Sequence, residues 1–388
     1  MASVLAVLAA LGLSLSLTAG ALANGIGSAY VADSGASKLT IIDVENLAAV
    51  DVIPTKPAPS GLAISSDGKF IYATEKDAGE LAVINRDDYT TLGSVKVGTT
   101  PINVSLSPDN KLAFVANSGS NDVSVVDTAT RSVLKTVSAG ERPSAAALLA
   151  DGKTLLVANA GAGTVSFVDL DSGKSLADVV VERGPSAILL ATGGATAYVA
   201  DKDGNAVSVV DTTSRSLTAT IATGVGPTSL AASPDGSKLF TANSGSNDVS
   251  VIDIASRKLV GHIPVGQGPY GLAWNKDRSL LLVTNSADNS LSFVDVSSGS
   301  VKQTVKLDQQ PTAIAVAYAE PVPGQTASGQ SGVVVGSGPN KTVVTALPKT
   351  GQGGPSRPAP PGVLYAGAAL AGLAAAASIW LRKTRRAG

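Results

Sequence analysis

The chain has 388 residues, with 29 Lys/Arg against 30 Asp/Glu, one histidine and no cysteine. Lack of thiols excludes disulfides, thiolate catalysis and cysteine-based metal sites, and leaves His262 as the sole imidazole. Seven cations and no acid follow Glu320, and no charge precedes residue 28, so the part between carries 22 Lys/Arg against 30 Asp/Glu, an acidic, aromatic-poor body unsuited to nucleic acid.

Residues 1–23 are small, apolar and uncharged, and end in Ala21, Leu22 and Ala23. This reads as a secretory signal peptide cleaved before Asn24, although no cation precedes the apolar stretch. From residue 28 onward a 42-residue period runs through seven units without insertion. One landmark is Asp33, Glu75, Asn117, Asn159, Asp201, Asn243 and Asn285; a second is the proline at 59, 101, 143, 185, 227, 269 and 311. A third runs from Asp43 to Asp295, and a fourth, starting at Asp67, is broken at Gly193. Periods of this length mean an array or a closed ring.

Each unit splits into four short runs rich in Val, Ile, Leu and Thr. In the third they are residues 102–107, 112–116, 123–127 and 132–137. The connections between them have hairpin length and Pro, Asn, Asp or Gly turn chemistry. Four antiparallel strands per 42 residues make a propeller blade. The expected fold is therefore all-β, a seven-bladed β-propeller over residues 24–320. The chain enters on a second strand, residues 29–33, and its periodic part ends on an unpartnered innermost strand, residues 312–317. Joining the two closes the ring in a one-plus-three blade and removes exposed strand edges.

The phrases Ala29-Tyr30-Val31-Ala32-Asp33, Ala197-Tyr198-Val199-Ala200-Asp201 and Leu282-Val283-Thr284-Asn285 resemble YVTN-type β-propeller repeats. The resemblance covers about residues 28–318. It implies the fold, and a surface-layer or cell-surface setting without naming a ligand.

Residues 321–346 are expected as a spacer, in which 333–346 form a partial extra hairpin or appendage rather than an eighth blade, residues 333–344 aligning with 30–41. The last segment, 347–388, resembles a Gram-positive cell-wall sorting signal. It holds the LPxTG motif Leu347, Pro348, Lys349, Thr350 and Gly351, an uncharged stretch at 363–381 and four terminal cations. Nineteen helical residues span roughly 28 Å, about one hydrocarbon core, and the cations hold that end in the cytoplasm. This resemblance implies cleavage by a sortase between Thr350 and Gly351 and covalent attachment to peptidoglycan, with the membrane helix only a transient device.

The repeated acids read as turn chemistry rather than as calcium ligands. Candidate ligand contacts are instead the non-repeated residues of the face where loops enter the innermost strands: Lys56, Glu141, Arg142, Glu182, Arg183, Gln267 and Tyr270, followed by Gln309 and Gln310. The hairpins on the same face add Glu75, Lys76, Asp77, Glu80, Lys202 and Asp203. Tyr270 could stack on a sugar or peptide, whereas Trp274 belongs to the core. Glu141/Arg142 and Glu182/Arg183 read either as a charged cluster or as ordinary surface ion pairs.

His262 lies in an outermost strand, misplaced for the channel mouth where lactonases and lyases of similar fold would hold a histidine or carboxylates. The expected protein is a monomeric, non-enzymatic, cell-wall-anchored binder of an extracellular protein or carbohydrate, needing no metal or cofactor. The alternatives are a lactonase-like hydrolase or lyase with carboxylates at the mouth, and a passive wall component.

Overall fold

Runs of six or seven residues with β-branched and small side chains become strands in the computed structural model, which describes residues 27–275 and 277–317. They assemble into seven antiparallel sheets of four strands. Blade 2 shows the plan, with Pro59–Ile64 innermost, then Phe70–Glu75, Glu80–Asn85 and, outermost, Thr91–Lys96. In every blade the pairing of third and outermost strands shifts register once, as between Val83 and Ile84. Such bulges sharpen the twist that lets radial sheets fan around an axis.

Blade 1 is the joint of the ring. Ser28–Asp33 pairs antiparallel with Pro311–Ala317, in register from Ser28↔Ala317 to Val31↔Ile314. The expected closure and blade count are therefore observed. The segments 1–23, 321–346 and 347–388, including the sorting motif, the 363–381 span and the extra hairpin, lie outside the described residues.

Apolar residues cluster in layers between blades rather than in one central mass. Tyr30, Leu62 and Ile71 fill the junction of blades 1 and 2, and Phe240 and Trp274 that of blades 6 and 7. Trp274 is fully buried, stands edge-on to Phe240 with centroids 5.5 Å apart, and donates its Nε1–H to the Ala232 carbonyl at 2.6 Å. This is the core role expected of it. Close approach of the innermost strands needs small residues: a Cβ at Gly61 would stand 2.7 Å from the Asn103 Cα of blade 3.

Candidate active site on the loop face

Each innermost strand starts at a loop-face proline, so its second residue borders the mouth of the central channel. Those residues are Ser60, Ile102, Ser144, Ser186, Thr228, Tyr270 and Thr312. The hydroxyls tie each blade to the next. Ser144 donates to the Pro185 carbonyl at 2.6 Å, Ser186 to Pro227 at 3.0 Å and Thr228 to Tyr270 at 2.8 Å. None of the seven innermost strands contains an acid, a Lys, an Arg or a His, so charge reaches this face only through loops and strand ends.

The loops are braced by hairpin asparagines held at positive φ. Asn121, Asn205, Asn247 and Asn289 accept, at 2.8–2.9 Å, the backbone N–H of Arg142, Gly226, Gly268 and Gln310 in the following entry loops. The backbones of Arg142 and Gln310 thus do what glycine does elsewhere, leaving their side chains free of that duty.

Beneath the loops lies a ring of polar residues at the ends of the second strands. Its members are the first landmark of the repeat, and all seven are buried. These strand-end groups are thus withdrawn from water. Where the residue is asparagine, its Nδ2 donates to the hydroxyl seven residues on: Asn117 to Ser124 at 2.9 Å, Asn159 to Ser166 at 2.8 Å, Asn243 to Ser250 at 2.8 Å. The entry-loop residue above each asparagine is glycine, because a Cβ there would collide with the amide, as at Gly140 with Asn159 Cγ at 2.7 Å.

Three blades depart from this pairing, each with an acid in the ring and a side chain in place of the glycine: Glu75 under Lys56, Asp201 under Glu182, Asp33 under Asp308. In blade 2, Glu75 Oε1 accepts the Lys56 N–H at 2.8 Å, and burial pushes its carboxyl up. Its neighbour Glu80 pairs with Lys56 and with Lys96 at 2.9 Å, which hold it down at about 2. In blade 1, Asp33 accepts the Thr40 hydroxyl and is raised by burial to about 6, while Asp308 pairs with Lys38. Both blades thus supply a cation to the second acid.

Blade 5 does not. Asp201 is fully buried, accepts the Ser208 N–H at 3.1 Å, and is pushed to about 8 by burial, which outweighs its hydrogen bonding with Ser208 and is reinforced by the charge of Glu182. Glu182 is exposed and forms no ion pair among the described residues. The two acids flank Gly204, whose Cβ would stand 2.6 Å from Glu182 Cβ and 3.4 Å from Asp201 Cβ. A protonated Asp201 offers one O–H donor where the asparagine it replaces offers two N–H donors, and the buried Ser208 side chain lies beside it as a hydrogen-bond partner.

The structure brings four of the expected residues together here. Arg183 accepts the Asp203 N–H at 3.1 Å through its carbonyl, and the Lys202 N–H donates to the Gly184 carbonyl at 2.9 Å, so loops 181–184 and 202–205 form one exposed patch over Asp201. Glu141 and Arg142 stand on the neighbouring loop 139–142, exposed, and form no ion pair with Glu182 or Arg183 among the described residues. Lys56 is committed to Glu80, Gln267 is exposed on the loop into blade 7, and Tyr270 sits half-buried at the channel mouth. Asp201 and Asp33 were missed as site residues. The signal for them was the joint change, acid for asparagine and side chain for glycine, 19 residues earlier for Asp201 and, across the ring closure, at Asp308 for Asp33. His262 lies on Lys258–Pro264, 3.4 Å from Asp248, off the innermost strands.

A family model described as "Lactonase, 7-bladed beta-propeller" matches residues 33–318. No curated protein matches the chain. Among solved structures, a functionally unknown protein from Desulfotomaculum acetoxidans superposes with a TM-score of 0.66 at 17% identity, covering 75% of this chain and 99% of that one. A candidate 6-phosphogluconolactonase from Bacteroides uniformis gives 0.64 at 18%, with coverages of 75% and 99%. Hydrazine synthase of Kuenenia stuttgartiensis gives 0.61 at 19%, with 69% and 91%. At these identities the structures show a shared fold. The family match overturns the expectation of a non-enzymatic binder and favours the lactonase-like alternative.

Proposed function

The chain belongs to the seven-bladed β-propeller lactonase family, and on that premise we propose that it hydrolyses a lactone on the loop face, over blade 5. One observation carries the placement: an acid pair, Asp201 under Glu182, stands where the repeat uses asparagine under glycine, without the cation that balances its counterparts. A buried acid that asparagine could replace is a stability cost, and such costs concentrate at functional sites.

In this mechanism the Glu182 carboxylate takes a proton from water as the water oxygen adds to the lactone carbonyl. The tetrahedral oxyanion collapses, the ring C–O bond breaks, and the proton passes to the leaving alkoxide oxygen to give the open hydroxy acid. Arg183 and Lys202, exposed on the same patch, lend positive charge to the developing oxyanion. Asp201 is a positioning residue that acts through Glu182. By keeping its proton, the buried Asp201 adds no second negative charge beneath Glu182.

The test is proton release from a panel of γ- and δ-lactones. Glu182→Gln should lower kcat/KM by about 10²-fold or more, the range for a general base. Hydrolysis by the variant at the wild-type rate refutes the assignment.

We further propose that this enzyme acts outside the cell, joined to the wall through Thr350 of the motif at 347–351. Support comes from the order of LPxTG motif, apolar stretch and basic tail, and from the YVTN-type phrases. Release from cell walls by detergent alone, rather than by muralytic enzyme, would contradict the attachment.

A further inference from the structure

We infer that the axial mouth of the ring is a subsite for an uncharged, hydroxyl-bearing ring, with Tyr270 its specificity-determining residue. Of the seven residues bordering the mouth, five are Ser or Thr, and their hydroxyls are spent on carbonyls of neighbouring strands: Ser60 on Ile102, Ser144 on Pro185, Ser186 on Pro227, Thr228 on Tyr270 and Thr312 on Ala32. Ile102 has no hydrogen-bonding group. Tyr270 alone brings to the mouth a hydroxyl that no described residue engages. The residue is half-buried and its phenol lies deep among protein atoms.

Desolvation raises the phenol above its ordinary range, which keeps it a neutral donor at any physiological pH. Ile102 and Tyr270 stand on blades 3 and 7, three steps apart in a ring of seven and so on nearly opposite sides of the mouth. An aromatic face, an aliphatic wall and one free O–H suit a ring with apolar C–H faces and polar edges. The innermost strands offer no cation. A phosphate carried below the rim of loops, past the exposed Arg142, Arg183 and Lys202, would lose its hydration to strands that hold no cation, so the subsite between the innermost strands favours the unphosphorylated ring.

The choice of a lactone as ligand rests on the hydrolase reading; the subsite itself does not. The full chain is therefore titrated calorimetrically with glucono-δ-lactam, a neutral ring that resists hydrolysis, and with its 6-phosphate. Wild type should bind the neutral lactam more tightly than the phosphorylated one. Tyr270→Phe should weaken binding about three- to tenfold, as for loss of one hydrogen bond, with an unchanged melting temperature because the hydroxyl holds nothing in the fold. Tyr270→Ala should weaken it by more than about tenfold. Failure of wild type to bind, equal binding by Tyr270→Ala, or preference for the phosphorylated lactam overturns the subsite. Lactam binding by a wild type that opens no lactone supports the subsite and removes only the hydrolytic reading.

Discussion

Asp201→Asn should make the propeller more stable at neutral pH while impairing it as an enzyme. The carboxyl holds its proton up to about pH 8 in the folded ring, against an ordinary value of 3.8. Between those values the unfolded chain has released the proton and the folded one has not, so each rise in pH favours unfolding. At 1.36 kcal/mol per unit the cost reaches about 4 kcal/mol at pH 7, and it levels off above pH 8.

Asparagine carries no such cost and supplies the Nδ2 donor that Asn117, Asn159 and Asn243 use in their own blades. The assay is thermal unfolding of wild type and variant from pH 4 to 9. The two should nearly coincide at pH 4 and diverge as pH rises, with the variant ahead by about 2 °C per kcal/mol for a domain of this size. Parallel curves of equal stability at every pH would show that Asp201 carries no proton in the folded state and refute the argument.

Asp33→Asn should behave with the same sign over a shorter range. Its folded value is about 6, so the gain grows from pH 4 to 6 and stops near 3 kcal/mol. Gly140→Ala should destabilise by about 1–3 kcal/mol in denaturant titration, since the new methyl meets Asn159 Cγ at 2.7 Å and cannot fit without displacing a buried amide. Deleting residues 311–317 removes the strand that closes blade 1 and bares the long edge of Ser28–Asp33; size-exclusion chromatography should show aggregation in place of a discrete species.

The scaffold was legible because a blade is a local object. Strand runs, hairpin turns and the proline before each innermost strand all lie within 42 residues, and the missing innermost strand at the start matched the spare one at the end. Trp274 could be assigned to the core for the same reason, as one large apolar residue inside a strand pattern. The site was not legible in that way. The repeat reads Asp33 and Asp201 as members of a turn series, since asparagine and aspartate are interchangeable in an exposed turn. They cease to be interchangeable once buried, where one is neutral and the other must keep a proton.

The amino-acid sequence alone determined the seven blades, their order and their closure, because periodic patterning and turn chemistry act over short separations. Only the tertiary structure decided which repeated polar residues are withdrawn from water and which acids lack a cation. It also decided that the hydroxyls around the mouth are spent, leaving the phenol of Tyr270 free. Those properties arise from packing between neighbouring blades and, in blade 1, from ring closure, which brings Asp308 from the far end of the repeat region beside Asp33. Desolvation and Coulomb interactions depend on distance in space, and residue spacing along the chain does not report it.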